Sequence, residues 1–300
     1  MILMITIYRM IGEGKMAEKV LINGSKGMLG RELVSLFRKS GYDVTGYDLR
    51  ELDITDSDAC EASIEKIQPK IVINAAAYTD VDKAEEEKEK AIQVNGDGAG
   101  YLAQASAKIG ALIVYFSTDY IFDGKKKDPY TEDDKPNPIS AYGKSKLKGE
   151  EKTKKENDNY LIIRTEWLYG RYGKNFVKSI IDAASRGKEL KVVSDQVGSP
   201  TCAVDLAAAT LRLIKKKAKG IINFTSSGDT TWYDFAELIL KKLKIDTVKV
   251  TPISSADLKR PAKRPANSRL ALDKYKKTTG EKPPDYKDAL NRYFKSVLII

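Results

Sequence analysis

The sequence predicts an α/β fold in which a doubly wound parallel sheet is followed by a smaller C-terminal lobe of mixed α/β structure. Up to residue 165, short apolar runs alternate with amphipathic stretches, and glycines follow the first apolar run. Strands that alternate with helices of about 10–15 residues are typical of βαβ units in a sheet covered on both faces. After Glu166 this order loosens. We therefore expect residues 166–300 to form a substrate lobe, partly interleaved with a domain of residues 18–165.

Each element is predicted from its own hydrophobic spacing. Continuous apolar runs predict strands, at residues 19–23, 43–47, 71–74, 111–117, 160–165, 190–193 and 221–224. Apolar residues three and four positions apart predict helices, at residues 29–40, 56–67, 91–109, 141–155, 176–186, 204–217, 232–244 and 285–297. Residues 1–17 are expected to be a disordered extension or a misplaced start, with Met16 as an alternative initiator.

Composition restricts the chemistry. The 300 residues include no histidine, which excludes Ser-His-Asp and Cys-His catalysis as well as HExxH metal sites. Acid–base chemistry near neutral pH is therefore left to Tyr, Lys, Asp, Glu or Cys side chains with shifted pKa values. The two cysteines, Cys60 and Cys202, match no zinc or redox spacing, so we expect free thiols in a reducing cytoplasm and no metal ligands.

Charge and hydropathy restrict the partners. The 52 Lys and Arg residues exceed the 42 Asp and Glu residues by 10, an excess that suits nucleic acid, a phosphorylated substrate or a lysine-rich surface. The positive residues are spread along the chain without a nucleic-acid-binding motif. No apolar run reaches the roughly 20 residues that span a bilayer. We expect a small-molecule substrate and neither nucleic acid nor a membrane as partner.

The turn after the first strand predicts a dinucleotide site and thus a Rossmann-type sheet. Gly24, Gly27 and Gly30 have GxxGxxG spacing between a predicted strand and a predicted helix. Glycines there let the backbone approach a pyrophosphate at the positive end of the helix. Asp48 closes the second strand and is placed to hold the adenosine ribose hydroxyls, whereas Arg50 is placed to hold a 2′-phosphate. The choice between NADH and NADPH stays open.

A second motif predicts acid–base chemistry without histidine. Tyr142 and Lys146 are four residues apart on a predicted helix, so the phenol and the ammonium share one face. A neighbouring ammonium lowers the pKa of a phenol, so the pair is suited to give a proton to a carbonyl oxygen as hydride arrives. Ser117 and Thr118 end the strand before this helix, where open α/β sheets bind ligands. Either hydroxyl is placed to hydrogen-bond that carbonyl oxygen.

Together these motifs resemble those of a known family. The matching stretches are GSKGMLG (24–30), LDITD (52–56), VINAAAYTDVDKAE (72–85), VN (94–95), STDYIFDG (117–124), YGKSK (142–146), RTEWLYG (164–170), NF (175–176), DQVGSPT (195–201) and RPANSRL (264–270). From about Lys19 to its C-terminus the chain resembles the dTDP-4-dehydrorhamnose reductases of the extended short-chain dehydrogenase/reductase superfamily. Asn23 and Glu166 depart from the usual pattern of that family.

The resemblance implies roles for individual residues. Tyr142 is implied as the proton donor, Lys146 as the ligand of the nicotinamide ribose, and Thr118 as a helper at the substrate oxygen. Further cofactor contacts are implied for Lys26, Met28, Leu29, Asp53, Ile54, Ala75, Ala76, Ala77, Tyr78, Asn95 and Ser117. Contacts with a sugar nucleotide are implied for Thr118, Asp119, Tyr120, Trp167, Asn175, Phe176, Gln196 and Arg264. By spacing alone, Trp167 and Phe176 also suit core packing, and Arg264 a solvated surface.

The implied activity is NAD(P)H-dependent reduction of the 4-keto group of a nucleotide-linked 6-deoxysugar. The substrate by resemblance is dTDP-4-dehydro-β-L-rhamnose, and the product dTDP-L-rhamnose. Some members of the family are homodimers bridged by Mg²⁺, so a homodimer and a magnesium ion are implied too, with no carboxylate of this chain assigned to the metal. The alternative is a non-catalytic, cofactor-binding regulatory subunit that resembles the methionine adenosyltransferase beta subunit.

Overall fold

A computed structural model of the chain describes residues 17–187 and 189–297. Its centre is a parallel sheet of six strands within those ranges, which from one edge to the other are residues 220–223, 160–165, 112–118, 71–74, 19–23 and 43–47. This sheet confirms the predicted α/β class. The expected disordered extension falls outside the described residues except for Ala17. Among the described helices, not one has the length and apolar character needed to cross a bilayer.

The strands of this sheet follow the apolar runs of the sequence closely. They are β1 (Lys19–Asn23), β2 (Asp43–Tyr47), β3 (Ile71–Asn74), β4 (Leu112–Thr118), β5 (Tyr160–Thr165) and β10 (Gly220–Asn223). The order reverses between β1 and β3, because β2 lies on one side of β1 and all later strands lie on the other. A ligand crevice is expected at such a reversal, beyond the carboxyl ends of the strands. β10 comes from the second half of the chain and pairs with β5.

Shorter strands lie outside the central sheet. They are β6 (Leu168–Tyr169), β7 (Leu190–Val193), β8 (Val197–Gly198), β9 (Thr201–Cys202), β11 (Thr230–Thr231) and β12 (Val250–Ile253). They form three pairs, β6 with β9, β7 with β12, and β8 with β11. Most have only two residues, too few for an alternating pattern, which is why only β7 was predicted from the sequence.

Most predicted helices are present with small shifts at their ends. The helices are α1 (Met28–Lys39), α2 (Ser57–Ile67), α3 (Lys88–Ile92), α4 (Gly98–Lys108), α5 (Ala141–Glu156), α6 (Phe176–Ser185), α7 (Ala203–Lys215), α8 (Trp232–Lys242), α9 (Asp273–Thr279) and α10 (Tyr286–Val297). Short 3₁₀ turns cover Lys83–Glu85, Asp119–Ile121 and Ser255–Asp257. Helix α9 was not predicted, because its sequence DKYKKTT buries only Tyr275 and Thr279.

The long helix predicted over residues 91–109 is present, but it is not uniformly α-helical. A π-helical segment at Gln93–Asp97 separates α3 from α4. Two close contacts account for the change of winding. The Asn95 side chain is hydrogen-bonded to the backbone of Tyr78, and Gly98 lies so near Ile54 that a Cβ atom would come within 2.8 Å of Ile54 Cγ1. Segments of this kind are frequent at functional sites.

Alternating residues of the strands build two core layers around the sheet. Val20 and Ile22 of β1 pack with Leu33 of α1 and Leu206 of α7 on one face. Leu21 points to the other face and belongs to the layer that α2 and α4 cover. A separate apolar cluster joins α6, α8 and α10 in the second half of the chain. Helices on both faces of a parallel sheet leave its carboxyl edge as the open surface.

A buried ion pair ties α5 to the sheet. Arg164 of β5 donates from Nε and Nη2 to the two carboxylate oxygens of Glu150 on α5, at 2.9 and 2.8 Å. The side chains are 2% and 0% exposed, respectively. Removal of one partner leaves a buried charge without compensation, which costs far more than the loss of a surface pair.

We therefore predict that Arg164→Met lowers the free energy of unfolding by about 3–5 kcal/mol. Lys108→Met, which removes one partner of the exposed pair between Lys108 and Glu61, should change it by less than about 1 kcal/mol. Urea denaturation of both variants at neutral pH measures the difference. Equal losses in the two variants would contradict the importance of the buried pair.

Candidate active site

The carboxyl ends of the sheet strands open into one long groove. Two cavities of about 560 and 480 Å³ lie along it, here called the inner and the outer cavity. Gly27, Ala75, Ala76 and Ala77 line both cavities, so the two cavities adjoin. The groove therefore lies at the strand-order reversal, where Gly24 follows β1 and Ala75 follows β3.

The glycines of the first turn have different structural tasks. Gly24 has φ +72°, and a Cβ atom on it would lie 2.5 Å from the amide nitrogen of Ala76. A Cβ atom on Gly30 would overlap the carbonyl oxygen of Gly24. Gly30 thus allows α1 to pack against the turn, and it does not line either cavity. Gly27 is the N-cap of α1 and lies on the groove wall.

This turn fits a dinucleotide. A glycine N-cap carries no side-chain oxygen that could satisfy the first amides of α1, so the positive end of the helix is offered to an anion. Ala75, Ala76 and Ala77 give the opposite wall small side chains, which allows a close approach to the backbone. Both features meet where the two cavities join, which is where a pyrophosphate between two nucleosides is expected.

The outer cavity brings together most of the residues predicted for the adenosine half. They are Gly24, Lys26, Gly27, Asp48, Asp53, Ile54, Ala75, Ala76, Ala77 and Tyr78. The Asp48 carboxylate accepts hydrogen bonds from the backbone amides of Lys26 and Leu49, both at 2.9 Å. The Lys26 ammonium lies 2.9 Å from Glu51 Oε1. Leu49, Leu52 and Val94 line the cavity without having been predicted.

Besides Gly30, two residues predicted to bind cofactor, Arg50 and Asn95, lie outside the cavities. Arg50 is exposed, lies beyond the end of β2 and does not line the outer cavity. Asn95 is buried, and its amide group is bound on three sides. It accepts from the Tyr78 amide and donates to the Tyr78 carbonyl and to Ser145 Oγ, each at 2.9 Å. Asn95 therefore positions the Tyr78 segment of the groove wall.

The inner cavity brings the three predicted catalytic residues together. Thr118 from the end of β4 and Tyr142 and Lys146 from α5 all line it. Its wall also contains Met28, Leu29, Ser117, Asp119, Tyr120 and Trp167 from the predicted set. The α5 N-terminus is fixed by its N-cap Ser140, whose Oγ accepts from the Gly143 amide at 3.1 Å. Tyr142 therefore lies in the first turn of a helix whose N-terminus is capped.

Asp119 organises the hydroxyl groups of this cavity. It is 1% exposed, accepts from Thr118 Oγ1 at 2.9 Å and from Ser268 Oγ at 2.5 Å. Thr118 Oγ1 also accepts from the Tyr120 amide at 3.2 Å, so this hydroxyl has one fixed orientation. Burial raises the pKa of Asp119 to about 6, although the Ser268 and Thr118 hydrogen bonds act in the opposite direction.

The phenol–ammonium pair differs from the expectation. Desolvation raises the pKa of Tyr142, the charge of Asp119 adds to that shift, and the Thr118 hydroxyl partly opposes it. The Lys146 ammonium lies 4.2 Å from the centre of the Tyr115 ring. Burial lowers the pKa of Lys146 to about 7, and Glu150 opposes this shift. The expected lowering of the phenol pKa by Lys146 is therefore wrong for this structure, because low polarity penalises both charged forms.

The predicted substrate residues separate into two groups. Thr118, Asp119, Tyr120 and Trp167 line the inner cavity, whereas Asn175, Phe176, Gln196 and Arg264 do not. Trp167 has φ +47° and stacks on Trp232, with ring centroids 3.5 Å apart. Phe176 packs with this stack at 4.5 Å from the Trp232 ring, so its apolar surface belongs to the core.

The polar members of the second group are engaged elsewhere. Asn175 caps α6 by accepting from the Lys178 amide at 3.1 Å. Gln196 donates from Nε2 to Ser255 Oγ at 2.8 Å. Arg264 forms a two-point ion pair with Asp82, at 3.0 and 2.7 Å. These contacts hold the three side chains in place, and their predicted contacts with substrate stay predictions.

Sequence reasoning missed several residues of the inner cavity. They are Asn74, Thr79, Val81, Phe116, Thr165, Glu166, Leu168, Gly173 and Lys174. Asn74, Thr165 and Glu166 end or follow strands β3 and β5. The rule that ligands bind beyond the carboxyl ends of parallel strands was a signal that could have found these three. Phe116 lies in β4 and Leu168 in β6, whereas Thr79, Val81, Gly173 and Lys174 lie in loops.

The acidic and sulfur-containing side chains give no metal site. In residues 17–187 and 189–297, groups of three or more Cys, Asp and Glu side chains with suitable placement are absent. Cys60 and Cys202 are both buried as free thiols.

Comparison with known proteins identifies similar reductases. A family profile described as RmlD substrate binding domain matches residues 18–299. The chain is 40% identical to the dTDP-4-dehydrorhamnose reductase of Aggregatibacter actinomycetemcomitans, over 91% of this chain and 97% of that protein. A crystal structure of a dTDP-4-dehydrorhamnose reductase from Clostridium acetobutylicum has a TM-score of 0.91 and 45% identity, covering 93% of this chain and 99% of that one. The enzyme of that name from Bacillus anthracis, crystallised with NADP, has a TM-score of 0.91 and 37% identity, covering 94% and 100%.

Burial of Lys146 predicts a pH dependence of stability. Its pKa falls from an ordinary value of 10.5 to about 7 in the folded protein. Between these pH values the unfolded chain binds more protons than the folded one, so stability rises with pH. Relative to Lys146→Met, the wild-type free energy of unfolding should rise by about 2 kcal/mol from pH 7 to pH 9.

Urea denaturation at several pH values measures this difference. Lys144→Met is the matched control, because Lys144 is exposed on the same helix, and its difference from wild type should stay constant with pH. A constant difference for Lys146→Met as well would show that the ammonium is not desolvated.

Proposed function

The chain belongs to the family described as RmlD substrate binding domain, and we propose that it is an NAD(P)H-dependent oxidoreductase that reduces the 4-keto group of a nucleotide-linked 6-deoxysugar. The observation that carries the proposal is the inner cavity, in which a phenol, a lysine and a fixed hydroxyl share one wall. The same cavity continues into the groove that suits a dinucleotide. The names of the relatives support dTDP-4-dehydro-β-L-rhamnose as substrate and dTDP-L-rhamnose as product.

The reaction needs a hydride donor, a proton donor and a dry cavity. The nicotinamide cofactor, when bound, supplies the hydride. Tyr142 keeps its proton at neutral pH, because desolvation and the nearby Asp119 raise the pKa of its phenol. A protonated phenol is the form that reduction requires, since the carbonyl oxygen gains a proton as the carbon gains hydride.

The neighbours of Tyr142 hold it in place. The Thr118 hydroxyl is fixed by Asp119 and by the Tyr120 amide, so it offers one position beside the phenol for the substrate oxygen. Lys146 is 3% exposed, and its surroundings are largely apolar. The hydroxyl groups of the nicotinamide ribose would give its ammonium group hydrogen-bond partners. Such preorganised polar groups act more strongly in a water-poor cavity than in solution.

A direct assay tests the proposal. The purified chain is mixed with NADH or NADPH and the 4-keto-6-deoxysugar nucleotide made by a dehydratase and an epimerase, and the fall in reduced-nicotinamide absorbance is followed. Turnover supports the reductase. Absence of turnover together with capture of a methionine adenosyltransferase in a pull-down would favour the regulatory alternative. Tyr142, Lys146 and Thr118 all line the inner cavity, which favours the reductase over the regulatory alternative.

The proton-donor role predicts the effect of Tyr142→Phe. Loss of a positioned general acid should lower kcat by about 10²–10⁴-fold, while the Kd for NADPH, measured by fluorescence titration, stays unchanged. Tyr101→Phe is the control, because Tyr101 is a partly buried tyrosine of α4 outside both cavities. A Tyr142→Phe variant as active as the Tyr101→Phe variant would disprove this role.

The outer cavity predicts how cofactor preference can be changed. Glu51 holds the Lys26 ammonium and adds negative charge beside Asp48, at the end where a 2′-phosphate would lie. Glu51→Gln should therefore lower the Kd for NADPH by about two- to fivefold at low salt, since exposed charges interact modestly. The Kd for NADH should not change.

Glu61→Gln provides the control for charge alone, because Glu61 pairs with Lys108 away from the groove. Binding titrations with both cofactors, at low and at high salt, give the comparison. An equal change for NADH and NADPH would mean that Glu51 does not distinguish the two cofactors.

A further inference from the structure

Glu166 is a buried carboxyl group on the wall of the inner cavity. It lies between β5 and β6 and is 2% exposed. Neither of its side-chain oxygens has a hydrogen bond of acceptable geometry among residues 17–187 and 189–297, although the backbone amide of Ser199 is close enough to act against the rise in the pKa of this carboxyl group. Buried polar groups in folded proteins nearly always have partners, so each exception calls for an explanation.

The surrounding chain makes room for this side chain. A Cβ atom on Gly198 of β8 would lie 2.5 Å from Glu166 Oε2 and 2.6 Å from Trp167 Cε2. The glycine therefore leaves the space that the carboxyl group and the neighbouring indole occupy. Trp167 is in turn fixed by its stack on Trp232. An apolar side chain would fill the same space without an unpaired polar group, so packing alone does not account for a glutamate.

The protonation state of Glu166 suits a neutral ligand group. Burial raises its pKa well above the ordinary value of 4.5, and the charge of Asp119 adds to the shift. A protonated carboxyl group has one donor and free acceptor lone pairs, which matches a hydroxyl group. A phosphate would gain less, because it offers acceptors only and carries negative charge.

We infer that Glu166 is a specificity-determining residue that hydrogen-bonds a ring hydroxyl of the sugar, beside the carbonyl group that the proposed reaction reduces. The inference rests on the proposed function and names a further contact within the same cavity. Glu166 follows β5, which is separated from β3 by β4, so it lies toward the end of the groove away from the outer cavity. A dinucleotide that contacts the glycine turn after β1 and the alanines after β3 would not occupy the Glu166 end of the groove. This end is therefore available to the sugar.

The chemistry of the substrate restricts the partner to two groups. A 4-keto-6-deoxyhexose linked through C1 has free hydroxyls only at C2 and C3. A sugar that lacks the bound hydroxyl leaves this buried carboxyl group without a ligand partner. Sites built to bind a hydroxyl discriminate strongly against analogues that lack it.

The test compares two variants with three sugars. Glu166→Leu removes the polar atoms, and Glu166→Gln keeps the shape and the ability to donate and accept. kcat and KM are measured with the parent sugar nucleotide and with its 2-deoxy and 3-deoxy analogues. For the parent, Glu166→Leu should raise KM about 10- to 100-fold, and Glu166→Gln should restore most of this loss. One of the two deoxy analogues lacks the hydroxyl that Glu166 is inferred to bind. For that analogue, the wild-type chain and the Glu166→Leu variant should have equal KM values.

Thermal unfolding separates this role from a structural one. Replacement of an unpaired buried carboxyl should leave the midpoint of unfolding unchanged or raise it. Glu65→Leu, at an exposed position of α2, is the control for a general effect of the substitution. A fall in the midpoint of unfolding for both Glu166 variants, with the same KM ratio for all three sugars, would overturn the inference in favour of a structural role.

Binding measurements distinguish the remaining outcomes. A wild-type chain that neither reduces nor binds any of the three sugar nucleotides would overturn the proposed function and this inference together. A wild-type chain that reduces the parent sugar while Glu166→Leu treats all three sugars alike would overturn this inference alone. A change in the Kd for NADPH with no change in sugar KM would also overturn it, since the carboxyl group would then contact the cofactor.

Discussion

The hydrogen bonds of Asp119 are the interaction on which the candidate site depends. This buried carboxylate follows β4 and accepts from Ser268, which lies 149 residues later in the chain. It thereby joins the end of the central sheet to the loop before α9. It also accepts from Thr118. Burial raises the pKa values of both Tyr142 and Glu166, and the charge of Asp119 adds to both shifts. One side chain thus fixes the hydroxyl groups and favours the protonated forms of the groups around the cavity.

The same surroundings explain why two ionisable groups of α5 differ from their solution behaviour. A phenol and an ammonium one helical turn apart share a face of the helix, but a shared face does not guarantee a charged pair. Lys146 packs against the Tyr115 ring, and desolvation favours its neutral form as it favours the neutral phenol of Tyr142. For a reductase this arrangement is coherent, because the phenol must hold a proton before it can give one away.

The central sheet and the outline of the site could be predicted from local sequence patterns. A fully buried parallel strand such as β3 (IVIN) is continuously apolar, and the glycines after β1 allow the tight turn that the groove needs. The sequence could not show which polar residues are already engaged. Asn175 caps α6 and Arg264 pairs with Asp82, and these contacts exist only in the folded chain. The π-helical segment likewise depends on a contact between Asn95 and Tyr78, which are distant in sequence.

The distribution of unpaired polar atoms gives an independent indication of where ligands bind. In the described part of the chain, nine residues have a buried side-chain atom without a protein partner, and four of them are Asn74, Ser117, Thr165 and Glu166. They end or follow three adjacent strands, β3, β4 and β5, and all four line the inner cavity. Stability alone would favour apolar residues at such positions, because an unpaired buried polar atom is unfavourable. A row of such atoms along one edge of the sheet is therefore best explained by a polar ligand that completes their hydrogen bonds.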